Sequence, residues 1–509
     1  MRLERVKNTK RNMFYGVLSK IVSIFLPFIV RTVLIKEIGI EYLGIKSLFS
    51  SILAVLSLAE LGFSNAIVYS MYKPIAEEDN DTICALLNFY KTVYRIIGLL
   101  ILGVGMVIIP FLPYLVKGEY PTDINIIVVY LIYLGNTVLS YFMYAYLSSL
   151  LNAYQREDLI SKINIVVSGL LNISQIIIIC LTKNYYLYAI LMVVFTIVNN
   201  IRIAFVAKKM YPQYKCQGKL SKELFEDIKK RLIGLVINKL CIVSRNSFDS
   251  IFISVFLGLT INAVYGNYYY IITSVTAFLT IIVSSITAGV GNSVVIESEE
   301  KNYTDMNRLN FVYMWLSGWA TISMLCLYQN FMYLWVGKEL MFSLPVVILL
   351  CIYFYVLKMG DIRSVYVQVN GLWWENRYRA IIESVSNIVL NYILAKYFGV
   401  VGIIVATLIT LFLVNFCYGS TIVFKYYFIK QNASIYFIQH FQYVFITVGI
   451  GLVTYLVCGL IGDTSLITLI LRGGICIIIP NILYFLVYWN LNFSRNSIKW
   501  MIDKVIEKK

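Results

Sequence analysis

The sequence has few charged residues, few prolines and a single histidine. Only 14% of its 509 residues are charged and 60% are hydrophobic, whereas a soluble domain carries about 25% charged residues. Its 8 prolines are too few for a disordered, proline-rich chain. With a mean hydropathy of +0.77, the chain is predicted to be a membrane protein and not an ordinary soluble enzyme.

Sequence motifs of ATP and metal chemistry are also missing. No Gly-x-x-x-x-Gly-Lys-Ser/Thr loop occurs, which excludes that kind of ATP site in this chain. The 9 cysteines lie nearly all in apolar runs without a Cys-x-x-Cys pair, so we expect them to pack, with neither disulfides nor a metal site. The single histidine, His440, is interpreted as an interfacial residue. We therefore expect no cofactor and predict that the protein is not an enzyme.

Long apolar runs, in contrast, recur from one end of the chain to the other. Backbone that spans a membrane must satisfy its own hydrogen bonds, so runs of about 20 apolar residues predict transmembrane α-helices. We predict an all-α integral membrane protein with about fourteen spans. Their approximate ranges are 12–35, 43–71, 84–112, 124–149, 159–181, 186–207, 232–257, 264–289, 309–335, 343–367, 379–397, 401–424, 441–461 and 466–489.

The net charge of +16 is concentrated in a few segments. The N-terminal tail, the 208–231 segment and the tail after residue 490 are rich in lysine and arginine, and fourteen spans place all three on one side. By the positive-inside rule that side is the cytoplasm, so both termini are predicted to be cytoplasmic. Residues 220–232 and 498–505 have the pattern of amphipathic helices that bind anionic lipids, although a solvated loop is an alternative for both. Nucleic acid is not an expected partner.

Basic side chains lie inside or beside the predicted spans, where each costs about 2.5–3.5 kcal/mol on insertion scales. In SKIVSIFLPFIVRTVLIKEIG, Lys20 and Arg31 are 11 residues apart and share one helix face. They either snorkel to opposite membrane surfaces or face a hydrated cavity. The other cations of this kind are Lys46, Lys91, Arg95, Lys162, Lys239, Arg245, Lys358 and Arg363, and the acids are Glu60, Asp249, Asp361 and Glu383.

These charges leave a surplus of cations at membrane depth. Two internal pairs are expected from helical spacing, Arg245 with Asp249 and Lys358 with Asp361. The remaining positive charge suits an anionic ligand such as a phosphate or diphosphate, because arginine offers a fork of donors and lysine a compact charge. The Lys20-to-Gly39 interval also recurs as Lys239-to-Gly258, which favours the duplicated plan that is common among transporters.

Three segments resemble bacterial polysaccharide flippases of the Wzx type. YLGIKSLFSSILAVLSLAELGFSNAIVYSMYKPIAEEDND (42–81) resembles their second span and the loop that follows, LLNFYKTVYRIIGLL (86–100) their third span, and DSIFISVFLGLTINAVYGNYYYIITSV (249–275) their seventh and eighth spans. The LAELG and YKP pieces of the first segment are the more specific ones. By this resemblance the chain is identified as a member of the superfamily that also holds the multidrug and toxin extruders and the lipid II flippase.

The resemblance implies a substrate, an architecture and a mechanism. The substrate would be an undecaprenyl-diphosphate-linked oligosaccharide, moved from the cytoplasmic to the outer leaflet of the bacterial cell membrane by alternating access, with a proton or sodium gradient as the driving force. Two six-helix lobes, 1–207 and 232–424, would enclose a central cationic cavity. A basic loop or surface helix, 208–231, would join them, and residues 425–509 would add two helices and a basic cytoplasmic tail.

The resemblance also implies roles for individual residues. The substrate-binding residues would be Lys20, Arg31, Lys46, Arg95, Lys239 and Arg245, and the ion-coupling candidates Glu60, Asp249, Asp361 and Glu383. The expected partners are the lipid-linked glycan, anionic membrane lipids, and a polymerase and glycosyltransferases of the same pathway.

Two other functions stay open from the sequence. An ion-coupled drug or metabolite exporter should prefer organic cations and would place acids at the cavity centre, the reverse of the balance seen here. A membrane polysaccharide polymerase would need a sizeable outer loop with catalytic groups, and the short connections offer none.

Overall fold

The computed structural model describes residues 5–57, 63–117, 120–462 and 464–506. Within these ranges, side chains are described except at 5–10, 13, 65, 227, 230–242, 244, 288, 492–493, 502 and 504–506. The described residues are almost entirely helical and contain no strand. The prediction of an all-α membrane protein is confirmed.

The first half of the chain forms nine α-helices within the described ranges. They are α1 (Arg5–Glu37), α2 (Ile40–Leu56), α3 (Phe63–Ala76), α4 (Asn80–Ile108), α5 (Ile126–Phe142), α6 (Leu147–Ala153), α7 (Glu157–Thr182), α8 (Tyr185–Met210) and α9 (Lys222–Leu257). A 3-10 segment, Ile109–Leu115, extends α4. The predicted surface helix at 220–232 is continuous with the span that follows it, because α9 runs through both.

Nine more α-helices follow in the described part of the second half. They are α10 (Leu259–Ile296), α11 (Glu299–Val336), α12 (Leu344–Lys358), α13 (Asp361–Val369), α14 (Arg377–Ile409), α15 (Gly419–Tyr426), α16 (Ala433–Gly459), α17 (Leu466–Asn490) and α18 (Asn492–Ile506). A short 3-10 turn, Lys338–Leu340, precedes α12, and a π-helical segment, Thr410–Tyr418, joins α14 to α15.

Several helices begin at capping residues placed in short connections. Asp79 accepts a hydrogen bond from the Thr82 backbone N–H at 3.0 Å and caps α4. Asn184 caps α8 in the same way, and Ser465 and Thr468 form a reciprocal capping box at the start of α17. Such side chains satisfy backbone donors that a helix leaves unpaired. The chain can therefore turn sharply between long apolar helices.

Ten helices in the described residues are long and apolar enough to cross a membrane, and the bent pair α5 and α6 makes an eleventh. Many apolar side chains of the described residues are exposed, such as Leu181 and Phe445, as lipid-facing helices require. The chain is a multi-pass membrane protein. The exact count of fourteen spans stays a prediction.

The segment Arg377–Tyr426 shows why the count depends on how a helix is divided. Its 50 residues would extend about 75 Å as one helix, which is more than twice the hydrocarbon thickness of about 30 Å. Gly399 breaks the helix with φ 57° and ψ −134°. Beyond it, Thr407 Oγ1 accepts a hydrogen bond from Asn387 Nδ2 at 3.0 Å, which a straight helix could not allow. The segment therefore folds back on itself at Gly399, which favours the two predicted ranges 379–397 and 401–424.

The chain divides into two compact units, Met1–Gly266 and Asn267–Lys509. In the first unit α7 packs against α1 and α8, α5 against α4 and α8, and α2 against α9. In the second, α11 packs against α12, α16 and α17. The long helix α9 belongs to the first unit, whereas the sequence places 232–257 in the second lobe. The lobe boundaries at 207, 232 and 424 stay predictions.

Candidate substrate and ion sites

Arg31 lies where α1 meets α2 and the first turns of α10. The backbone of Gly266 approaches it so closely that a Cβ built on Gly266 would lie 2.8 Å from Arg31 Nη2 and 3.3 Å from Ser47 Oγ. The guanidinium therefore occupies space that any larger side chain at 266 would take. Arg31 is half-buried, and its Nη2 atom is covered by protein.

The same turns of α10 also reach the charged face of α9. Tyr265 donates a hydrogen bond to Asp249 Oδ2 at 3.3 Å, and Tyr265 is the direct neighbour of Gly266. Asp249 and Arg245 are 2% and 6% exposed. The expected Arg245–Asp249 pair stays a prediction. The structure thus brings Arg31, Asp249 and one turn of α10 into a polar junction inside the first unit.

Lys46 contacts one buried tyrosine of the first unit, Tyr188. Its Nζ donates to the Tyr188 hydroxyl at 2.7 Å and lies 5.4 Å from the centre of the Tyr188 ring. Tyr188 is fully buried and stacks on Tyr185, whose hydroxyl contacts that of Tyr133 at 3.0 Å. The ammonium therefore has both an oxygen acceptor and an aromatic face as partners.

Lys20 lines a polar cavity between α1, α6 and α7. The cavity measures about 340 Å³, and its wall includes Ser19, Ser23, Ser148, Asn152, Glu157, Ser161 and Asn164. Lys20 itself is exposed. Serine and asparagine side chains of this kind suit water or hydroxylated ligands, because they both donate and accept hydrogen bonds.

The remaining candidates of the first half are less informative. Arg95 is exposed on α4. Lys239 is placed on α9, but its side chain lies outside the described ones, and Glu60 lies wholly outside the described residues. Their roles stay predictions.

In the second unit, Asp361 and Lys358 form the ion pair expected from their spacing. Lys358 Nζ lies 3.0 Å from Asp361 Oδ2, and Tyr313 donates to the same oxygen at 2.5 Å. Lys358 is 4% exposed. A buried ammonium needs such partners because an isolated charge in an apolar interior is costly, so the predicted pair is confirmed.

Glu383 is the centre of a second buried network. Arg379 Nη1 lies 2.5 Å from Glu383 Oε2, and the same oxygen accepts from Asn415 Nδ2 at 2.9 Å. The backbone oxygen of Asn415 accepts from Arg363 Nη2 at 3.0 Å. Glu383 is fully buried. The π-helical segment supplies Asn415, and such irregular turns recur at functional sites.

The polar stripe of α14 continues beyond Glu383. Asn387 and Asn391 follow at four-residue spacing, both buried, and Asn391 Nδ2 donates to Asn387 Oδ1 at 3.3 Å. With Arg379, these residues form a row of polar side chains along one face of the helix. A row of hydrogen-bonding groups inside an apolar unit can relay or hold an ion.

Sequence reasoning missed Arg379 of the Glu383 network and a separate cluster of Arg11, Arg156 and the buried Asp158. Arg379 lies at the end of a predicted span, four residues before Glu383. This spacing would have predicted an ion pair between them on one helix. Asp158 is also fully buried, with Arg11 Nη2 at 2.8 Å and Arg156 Nε at 2.9 Å. Because Arg11 is distant in sequence, this clamp between α1 and α7 could not be read from spacing.

His440 packs against protein on all sides, and its expected place at the membrane interface stays a prediction. Its side chain is fully buried in the second unit. Its Nε2 lies 3.0 Å from Asn310 Nδ2, and the ring packs against Phe416 and Tyr436. The ring therefore completes an aromatic core, where one amide contacts Nε2 and the buried Nδ1 has no hydrogen-bond partner among the described residues.

Comparison with known proteins gives a family and a fold. A family model described as "Polysaccharide biosynthesis protein" matches residues 9–287, more than half of the chain. Among curated proteins, no sequence matches.

Solved structures share the fold at low sequence identity. Lipid II flippase MurJ in an inward closed conformation has a TM-score of 0.66 and 16% identity, covering 94% of this chain and 98% of its own. An inward-facing multidrug resistance MATE family transporter of the MOP superfamily has a TM-score of 0.61 and 15% identity, covering 78% and 93%. A MOP superfamily transporter from Pyrococcus furiosus, described as having a binding pocket of reverse polarity, has a TM-score of 0.54 and 14% identity, covering 82% and 96%.

Proposed function

The chain belongs to the polysaccharide biosynthesis protein family, and we propose that it is a flippase for polyprenyl-diphosphate-linked oligosaccharides. It moves the lipid-linked glycan from the cytoplasmic to the outer leaflet by alternating access and breaks no bond. Its fold is that of MOP superfamily transporters, among them a lipid II flippase. The partners of the reaction are glycosyltransferases that supply the substrate and a polymerase that uses it.

The half-buried Arg31 at the Gly266 junction is the observation that carries this proposal. A guanidinium there can donate two parallel hydrogen bonds to a diphosphate, which a lysine cannot do in the same geometry. Lys46 and Arg245 add positive charge in the same unit. The polyprenyl tail stays in lipid, because its transfer from hydrocarbon into a polar site is unfavourable.

A proton or sodium gradient drives the cycle in this proposal. Asp249 is the coupling acid of the first unit, since it joins the Arg31 junction through Tyr265. In the second unit, Asp361 and Glu383 are already engaged by Lys358 and Arg379. An ion that binds either carboxylate must displace a cation, so ion binding and rearrangement of these helices would be coupled.

The proposed site of action is the bacterial cytoplasmic membrane, with both termini on the cytoplasmic side. The Lys- and Arg-rich segment 208–231 supports this orientation by the positive-inside rule. Anionic lipids of the inner leaflet are then the natural contacts of these cations.

Transport by Arg31 variants tests the proposal. Proteoliposomes that contain the protein and a short polyprenyl-diphosphate-linked oligosaccharide should expose the glycan to a lectin or glycosidase on the opposite side. Arg31→Ala should lower the transport rate by about tenfold or more, because a hydrogen bond to a charged group contributes about 1.5–3 kcal/mol. Arg31→Lys should retain more activity than Arg31→Ala.

Arg202 is the matched control, because it is an exposed arginine on α8 of the same unit. Arg202→Ala should transport at the parental rate. If Arg31→Ala and Arg202→Ala are equally active, the substrate site assigned to Arg31 is wrong.

An ion-coupled exporter is the second candidate, because a multidrug resistance MATE transporter shares the fold. The two functions differ in the charge of the cargo. Gradient-driven uptake of an organic cation into the same proteoliposomes, without movement of the lipid-linked glycan, would favour the exporter.

A further inference from the structure

Three cysteines from different helices of the second unit come together in its interior. Cys326 lies on α11, Cys458 on α16 and Cys476 on α17, and all three are buried. Their sulphur atoms lie within 4.8 Å of one another. We propose that Cys326, Cys458 and Cys476 form a three-thiolate binding site for a soft monovalent cation, Cu⁺.

The spacing of the sulphur atoms fits a shared metal ion. A metal–sulphur bond of about 2.3 Å places the sulphur atoms of a trigonal site about 4 Å apart. The Cys458 and Cys476 sulphur atoms are 4.0 Å apart. A disulfide needs about 2.05 Å, so it would require a much larger movement and would leave the third thiol unused.

The number and type of ligands select the ion. Thiolates are soft ligands that favour Cu⁺ and Zn²⁺ over hard cations. Structural zinc sites take four ligands in a tetrahedron, and within the described ranges no fourth cysteine, histidine or carboxylate joins the group. Three sulphur ligands without a fourth donor suit Cu⁺, which accepts a trigonal arrangement.

The surroundings favour the thiolate form of the cysteines, which is the form that binds a metal ion. Arg472 lies one turn before Cys476 on α17, and its Nη2 donates to the Ile461 carbonyl at 2.6 Å. Its positive charge offsets part of the thiolate charge. Each cysteine that binds as a thiolate releases its proton to solvent, and copper stays Cu⁺ throughout, so the step needs no electron donor.

The site can be reached from the adjacent connection. Cys458 is in the last turn of α16, which ends at Gly459, and the following Leu460 is 85% exposed. The site therefore lies beneath a short surface loop. A bound ion would tie α11, α16 and α17 together, as a structural metal does when it adds binding energy to folding.

A copper titration of the whole protein in detergent tests the proposal. The reduced protein would compete with the coloured Cu⁺ chelator bicinchoninate under ascorbate, and we expect one Cu⁺ to bind per chain. Cys458→Ser should weaken binding by at least about tenfold, because even partners outside the ligand shell are worth 10–100-fold in affinity. Cu⁺ should also raise the melting temperature of the parent protein but not of Cys458→Ser.

Cys351→Ser is the matched control, because Cys351 is a buried cysteine of the same unit outside the group. It should bind Cu⁺ as the parent does. X-ray absorption of the copper-loaded parent should show three sulphur neighbours and needs no variant to fold. Equal losses in Cys351→Ser and Cys458→Ser, two or fewer sulphur neighbours, or a mass decrease that shows a disulfide in the presence of copper would each overturn the proposal.

Discussion

At the scale of single residues, a missing side chain matters as much as a charge. Gly266 leaves space for the Arg31 guanidinium, and Tyr265 beside it contacts Asp249. Glycine allows the close approach because it has no Cβ. The substrate site proposed here depends on that approach, since a side chain at 266 would take the space that Arg31 Nη2 occupies.

Gly266→Ala should therefore displace Arg31 and reduce flipping. The added Cβ would lie 2.8 Å from Nη2, so the flexible end of the Arg31 side chain must move aside. We expect a lower transport rate in proteoliposomes while the protein still elutes as a folded species in size-exclusion chromatography.

Gly289→Ala is the control on the same helix, because a Cβ there would meet nothing within 4 Å. This variant should transport normally. Normal transport by Gly266→Ala as well would show that the close approach to Arg31 has no functional role.

At the scale of helices, α14 and the π-helical segment share a buried network of hydrogen bonds and one ion pair. Arg379, Glu383 and Asn415 meet at one carboxylate oxygen, and Arg363 contacts the Asn415 backbone. Helices in lipid gain little from apolar burial against each other, so polar contacts and close packing contribute to their association. The network therefore connects α13, α14 and the π-helical segment.

A double-mutant cycle on Arg379 and Glu383 measures this connection. Each of Arg379→Gln and Glu383→Gln should lower the free energy of unfolding by about 3–5 kcal/mol, because each leaves its partner buried and uncompensated. The double variant should lose less than the sum of the two. Unfolding in mixed micelles provides the measurement.

The pair Lys301 and Asp305 is the matched comparison, with the same spacing on α11 but side chains 48% and 28% exposed. Lys301→Gln should change the free energy of unfolding by only about 0–1 kcal/mol. Additive losses at Arg379 and Glu383 would contradict the proposed coupling.

At the scale of the whole molecule, the division of 377–426 decides the topology. If this segment is two spans, α9 to α16 cross the membrane an odd number of times, and the connections at Gly218 and Gly462 lie on opposite sides. If the segment is one span, the number of crossings is even and both connections lie on the same side of the membrane. The break at Gly399 and the Asn387–Thr407 contact favour two spans.

Labelling of single cysteines tests this arrangement in a cysteine-free background of the full chain. Lys219→Cys should react with a membrane-impermeant maleimide only after permeabilisation, because the basic segment 208–231 is expected in the cytoplasm. Gly462→Cys should react in intact cells. Labelling of both positions under the same condition would rule out the fourteen-span arrangement.

The membrane location and the helical class followed from the sequence alone. Charged residues are scarce and the apolar runs are long, and in such a run an α-helix satisfies all backbone hydrogen bonds within the segment that crosses the bilayer. The pair of Lys358 with Asp361 was expected from helical spacing, although the two residues lie at the end of α12 and the start of α13. Family membership followed in outline from the resemblance of 42–81 and the neighbouring segments.

Contacts between distant parts of the chain required the tertiary structure. Helical periodicity gives the face on which a residue lies but not which helix covers that face. The Gly266 approach to Arg31, the Asp158 clamp and the buried His440 all depend on such pairings. The cysteine group also depends on tertiary packing. From the sequence, Cys326, Cys458 and Cys476 were interpreted as separate packing residues, and they become neighbours only because α11, α16 and α17 pack together.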